Sequence, residues 1–184
     1  MSVSSCAHPS LDPPSGSVPP EVVARWVDYT DPLVRPMLVE LDHEYGARYG
    51  HTLGDLDEET RRERERFAPP DGGLVLLLDD SGRPVSGGAF RRWDAVTAEL
   101  KRIWTDLGYR RLGLARRVLV ELEREIAARG YRRIHLTTGP LQPEAQNLYL
   151  AAGYTPLFDR ALPPERVGKH PFEKTLPATT GRAS

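Results

Sequence analysis

TAELKRIWTDLGYRRLGLARRVLVELEREIAARGYRRIHLTTG, residues 97–139, decides the fold. Residues 97–106 read as a strand, and 131–139 as another. Between them, 111–130 carries a helical stripe of Ala115, Val118, Leu119, Leu122 and Ile126, closed by Gly130 just past its end. Two strands joined through a helix need a crossover connection. That places them parallel inside a larger sheet.

The flanks fill in the rest of that sheet. Upstream, 21–29 reads as a first strand. Asp31 then Pro32 marks a helix start, and Val34, Met37, Leu38, Leu41 and Tyr45 carry the helix to about Tyr45 or Gly46. Residues 55–67, DLDEETRRERERF, read as a second helix whose mixed charges form a solvated face. Strands at 73–80 and 83–93 flank the Ser81-Gly82 turn. Downstream, 143–153 is a short helix with proline at its start and Gly153 at its end, followed by strands in YTPLF and HPFEKTL. The expected fold class is α/β (an α+β mixed sheet), a central twisted sheet of about seven strands flanked by helices. One domain spans 21–176. The Ser- and Pro-rich residues 1–20 and the last eight, 177–184, read as disordered tails.

Composition narrows the function. A chain of 184 residues with 28% charged side chains can bury one real core. The net charge of −1 speaks against a general nucleic-acid binder. The single cysteine, Cys6, permits no intramolecular disulfide, and no histidine spacing suggests a metal site. Neither a membrane-spanning run nor a signal peptide is visible, so the cytoplasm is the default compartment.

Chemistry concentrates in TDLGYRRLGLARR, 105–117. A strand ends, a loop follows, and a helix begins at Gly113. Backbone N–H groups at such a start form an anion site, aided by the helix dipole. Gly113 allows close approach of a phosphate, Ala115 keeps the next turn small, and Arg110, Arg111, Arg116 and Arg117 add positive charge. The spacing matches neither a dinucleotide-binding fingerprint nor a nucleotide-binding P-loop. A plain helix start with a basic surface is the other reading of the same residues.

Arg110-x-x-Gly113-x-Ala115 resembles the Gln/Arg-x-x-Gly-x-Gly/Ala signature of the GNAT superfamily of N-acetyltransferases. Gln142-x-x-Ala145-x-x-Leu148-Tyr149-x-x-x-Gly153-Tyr154 is similar to that superfamily's Asn-x-x-Ala-x-x-Leu-Tyr-x-x-x-Gly-Phe/Tyr motif, with Gln142 where asparagine is usual. Leu107-Gly108-Tyr109 replaces a common proline-containing loop. The resemblance is close over about 73–176 and weaker over 21–70.

The resemblance implies acetyl-CoA as co-substrate and no metal. Its pyrophosphate would lie on the backbone of Arg111, Leu112, Gly113, Leu114, Ala115 and Arg116, with Arg110 and Gln142 alongside. Its pantetheine arm would lie between the fourth and fifth strands, which splay apart in this fold, and would pair with the main chain of Ile103, Trp104 and Thr105 like an added strand. The attacking amine, with a pKa near 10.4, is neutral in only about one molecule in two thousand at pH 7. A base therefore helps. Glu99, eleven positions before Arg110, matches the base of the histone-modifying branch, and partial burial is expected to raise its pKa. A strand carboxylate paired with Lys101 or Arg102 is the plainer reading. Tyr149 stands where similar enzymes keep a tyrosine near the CoA sulfur as general acid. Arg91 and Trp93 could reach the acceptor, Arg91 through an acceptor carboxylate. Tyr45 and Tyr49 could line its pocket or pack in the core.

The resemblance implies transfer of acetyl from acetyl-CoA to a primary amine by direct attack; the acceptor is expected to be a small molecule, with no nucleic-acid or membrane partner. Two other readings are a non-catalytic acyl-CoA-binding module and an acetyltransferase acting on a protein amine. Dimerisation is common among similar proteins, but no homodimer interface stands out in this sequence.

Overall fold

The computed structural model describes residues 21–177; the expected tail at 1–20, and that at 177–184 apart from Pro177, lie outside it. Seven strands form one sheet in the order β1-β2-β3-β4-β5-β7-β6. They are β1 (Val23–Val27), β2 (Gly73–Leu78), β3 (Pro84–Arg92), β4 (Thr97–Thr105), β5 (Arg133–Thr138), β6 (Thr155–Pro156) and β7 (His170–Thr175). The helices are α1 (Arg35–Tyr49), α2 (Leu56–Glu63), α3 (Leu114–Ala128), α4 (Pro143–Ala151) and a short α5 (Pro164–Val167). Neighbouring strands run antiparallel except β4 and β5, the parallel pair that the crossover through α3 requires.

Each face of the sheet carries its own core. On one, Val118, Leu119, Leu122 and Ile126 of α3 and Tyr149 of α4 pack on Val75, Phe90, Ala98, Leu100, Ile134, Leu136 and Phe172. On the other, Met37, Leu38 and Leu41 of α1 pack on Leu74, Leu76, Ala89 and Trp104. The apolar positions of α3 recur at three and four residues, so one stripe faces the sheet while Val120 stays exposed. β2, covered on both faces, is buried along its whole length and reads as an unbroken apolar run.

Several boundaries differ from the sequence expectation, those of three helices most. Helix α1 starts at Arg35, after a single 3₁₀ turn at Pro32–Val34, and runs through Gly46 to Tyr49. Helix α3 starts at Leu114 because Arg111 and Gly113 are both left-handed. Helix α2 stops at Glu63, four residues before Phe67. Its solvated-face reading is also overturned. Glu59 and Glu63, one turn apart, form its buried side at 1% and 6% exposure, because arginines from the sheet meet them there.

Replacing Leu122, fully buried between α3 and the sheet, is expected to destabilise strongly. Leu122→Ala should cost about 2–5 kcal/mol, a fall in Tm of roughly 5–15 °C. Val120→Ala, on the exposed side of the same helix, should move Tm by no more than about 2 °C. Equal effects in thermal unfolding would contradict this orientation of α3.

Candidate active site

Strands β4 and β5 pair only through Thr97, Ala98 and Glu99 opposite Arg133, Ile134 and His135. Past Glu99 they part. The β4 main chain from Leu100 to Thr105 thus has an edge without a β5 ladder partner. A bulge sits on this stretch. Gly87 faces Trp104 and Ala89 faces Lys101, so Gly88 alone opposes both Arg102 and Ile103. The extra residue switches side-chain parity. Before it, Ala98 and Leu100 face the α3 core; after it, Trp104 enters the α1 core. Arg102 holds φ at 59°, which costs a non-glycine residue about 1–2 kcal/mol.

The parted strands open toward the start of α3. That helix has no side-chain cap, and Gly113, left-handed at φ 79°, precedes it. The first hydrogen bond closing the helix runs from the Arg117 N–H to the Gly113 carbonyl. Earlier N–H groups, those of Leu114, Ala115 and Arg116, have no protein acceptor among the described residues. Arg111, Arg116 and Arg117 are exposed beside them and form no ion pair there. A Cβ at Gly113 would meet nothing within 4 Å, so its backbone conformation, not crowding, asks for glycine. Such an array of unpaired N–H groups and cations suits an anion.

On the α1–α2 face, Glu99 is 3% exposed. Its carboxylate accepts from Arg91 Nε at 2.8 Å and pairs with Lys101 Nζ at 2.9 Å. Burial pushes its pKa up, but the hydrogen bonds and charges of Lys101 and Arg91 outweigh it and hold the carboxyl below the usual range. The expected upward shift is therefore wrong in sign. Arg102, proposed as a partner of Glu99, instead meets Glu59. Arg91 reaches on to Glu63 at 3.4 Å, so its Nε and Nη1 both meet protein carboxylates. Arg91, Trp93 and Glu99 line one cavity of about 350 Å³ with Glu65, Arg66, Asp71 and Arg92. Trp93 is 56% exposed and stacks on His135 with ring centres 4.8 Å apart.

Tyr149 lies on the opposite face. Its ring touches Tyr154 and Phe172, and burial, with a smaller contribution from Tyr45, raises its pKa well above that of a free phenol. Tyr45 and Tyr49 sit near the C-terminal end of α1, away from the Glu99 cavity. Tyr45 is near enough to Tyr149 to act on it electrostatically, whereas the buried Tyr49 hydroxyl lies against Gly139, where any Cβ would fall 1.9 Å from it. The same end of α1 crosses the parted strands. Glu44 accepts from Arg110 at 2.9 Å on the β4 side and from the Gln142 amide at 3.1 Å on the β5 side. Ile103 packs toward α3 and Trp104 toward α1, its indole donating to Glu40 at 2.9 Å; both side chains are spoken for, and their main chain is what faces the opening. Thr105 is hydrogen-bonded to Ser86 at 2.8 Å.

The sequence profile described as the Acetyltransferase (GNAT) family matches residues 37–154, more than half of the chain. The chain belongs to the GNAT family of acetyltransferases. Its fold agrees. An acetyltransferase from Streptococcus agalactiae superposes with a TM-score of 0.67 at 20% identity, covering 84% of this chain and 98% of that one. A GNAT family acetyltransferase from Staphylococcus aureus gives 0.65 at 18%, covering 84% and 100%. A GNAT family acetyltransferase from Elizabethkingia anophelis, with acetyl-CoA bound, gives 0.60 at 14%, covering 84% and 98%. No curated protein matches the chain.

Within this GNAT fold Ile103 to Thr105, Arg110 to Arg116 and Gln142, the residues expected to meet the donor, lie around the opening between β4 and β5, and Glu99 lies where the opening begins. Sequence reading missed Glu44, Glu59 and Glu63, which complete the charge pairing of Arg110, Arg102 and Arg91. The four-residue spacing of Glu59 and Glu63 was the available signal. Among the described residues no group of three or more His, Cys, Asp or Glu gathers in metal-binding geometry, and no helix is long and apolar enough to cross a membrane.

Lys101→Met should raise the midpoint of the Glu99 carboxyl titration followed by carbon-13 NMR. Because the folded group titrates below its unfolded value, its pairing stabilises the fold above the unfolded pKa, and that contribution is lost as pH falls. The variant should accordingly lose less stability on acidification. An unmoved midpoint would contradict the assigned cause.

Proposed function

We propose that the protein is an N-acetyltransferase that moves acetyl from acetyl-CoA to the primary amine of a small molecule by direct attack in a ternary complex. One juxtaposition carries this reading: the uncapped start of α3 opens onto the free β4 edge where β5 diverges. Acetyl-CoA needs both features. Its pyrophosphate asks for converging N–H groups and cations, which Leu112 to Arg116 and the flanking arginines offer. Its pantetheine amides ask for a strand edge without a ladder partner, which Ile103 to Thr105 offers, with the Thr105 carbonyl held by Arg110 Nε at 3.4 Å. A main-chain N–H of that edge would also polarise the thioester carbonyl.

Glu99 borders the acceptor cavity, whose volume of about 350 Å³ suits a small molecule. With its pKa held low, Glu99 is a weak base toward a resting ammonium ion. It takes the proton, directly or through water, once C–N bond formation has made the nitrogen acidic. Tyr149 serves the other end of the reaction. Its raised pKa makes it a weaker acid than a thiol of pKa about 8.5, so it stabilises the departing sulfur first by donating a hydrogen bond.

Thiol release from acetyl-CoA with a panel of small amines tests this. Glu99→Gln should lower kcat by about 10²-fold, and Tyr149→Phe by about tenfold, with acetyl-CoA affinity kept in both. Between pH 6 and 9, kcat/KM should climb with deprotonation of the acceptor ammonium and show no break from Glu99, which is already ionised throughout. Tight acetyl-CoA binding without thiol release to any amine, protein amines included, would instead indicate a binding module.

A further inference from the structure

Arg102 is the sole strand residue other than glycine that holds a positive φ among the described residues; Arg111, the other such residue, lies in a loop. A backbone in this conformation springs back to extended geometry unless something holds it. The side chain supplies the hold. Arg102 is 14% exposed, and its guanidinium ends on the Glu59 carboxylate of α2, itself 1% exposed. Arg102 Nε also lies 3.4 Å from the Tyr29 hydroxyl. Relaxing Arg102 to an extended conformation would withdraw the guanidinium from Glu59, from Tyr29 and from Tyr45, whose hydroxyl it also hydrogen-bonds. It would also remove the bulge and put Ile103 and Trp104 on each other's face of the sheet.

We propose that Glu59 is a positioning residue: acting from α2 through Arg102, it holds the β4 bulge and so aims the free β4 edge at the thioester end of the donor. The helix on the acceptor face thereby sets the geometry of the strand that contacts the donor. This rests on the acetyl-CoA reading above for its consequence, though not for the bulge itself.

Glycine adopts φ near +60° without an anchor, which separates positioning from general stability. Glu59→Gln should weaken acetyl-CoA binding by about tenfold in calorimetry, and Arg102→Ala by at least as much. Arg102→Gly should stay within about twofold of the native protein, and the double variant Glu59→Gln/Arg102→Gly should recover most of the loss. Backbone NMR shifts of residue 102 report its φ without any ligand. They should leave the left-handed range in Glu59→Gln and in Arg102→Ala, and return to it in the double variant. A left-handed residue 102 retained in folded Glu59→Gln would overturn the proposal. So would an Arg102→Gly variant that binds as poorly as Arg102→Ala. If the shifts move as expected while the native protein fails to bind acetyl-CoA, the hold on the bulge stands and the donor reading falls.

Discussion

Beyond Glu99 and His135, β4 and β5 no longer share hydrogen bonds, and the site takes its form from that parting. A parallel pair joined by a helical crossover would ordinarily continue its ladder to the strand ends. Here the ladder stops while β4 runs on to Thr105. Main-chain groups of a central strand are thereby left without a neighbouring strand, at the mouth of a helix whose first N–H groups have no acceptor among the described residues. Buried or half-buried backbone groups in that condition cost free energy unless a partner arrives. An extended, amide-bearing ligand with a phosphate end answers both deficits at once.

On the α1–α2 face, buried carboxylates and strand cations are paired beside that opening. Glu59, Glu63 and Glu99 are each nearly inaccessible, and each is matched by cations from β3 or β4. Buried ion pairs of this kind add little net stability, since desolvation offsets their attraction. Breaking one, however, strands a charge in the interior, so they fix geometry more than they add strength. Arg91 illustrates the consequence for function. It lies beside the cavity, as its place at the end of β3 suggested, yet its contacts to Glu99 and Glu63 make it part of the frame.

Most of the fold was legible in residues 97–139, because a strand, a long amphipathic helix and a second strand leave few alternatives. The uncapped start of α3 was legible too, since Gly113 and the absence of a capping side chain are local features. What escaped was long-range. The DLDEETRRERERF segment looks solvated by composition, and nothing local shows that Arg91 and Arg102 would come to meet Glu59 and Glu63. The bulge was invisible for a related reason: Arg102 is not a residue that advertises a positive φ. The sign of the Glu99 shift was misjudged because burial could be guessed from the strand, whereas the partner on β3 depends on register. The reach of α1 through Glu44 to both Arg110 and Gln142 likewise spans segments far apart in the chain.

Calorimetric titration of the full-length protein with acetyl-CoA, with dephospho-CoA and ATP as controls, bears most directly on the role of the parted strands. A micromolar Kd, weakened by raised salt as ionic contacts to phosphate require, is the expected result. No binding at millimolar acetyl-CoA would contradict it, leaving the 110–115 loop as a helix start and the opening between β4 and β5 without the ligand proposed for it.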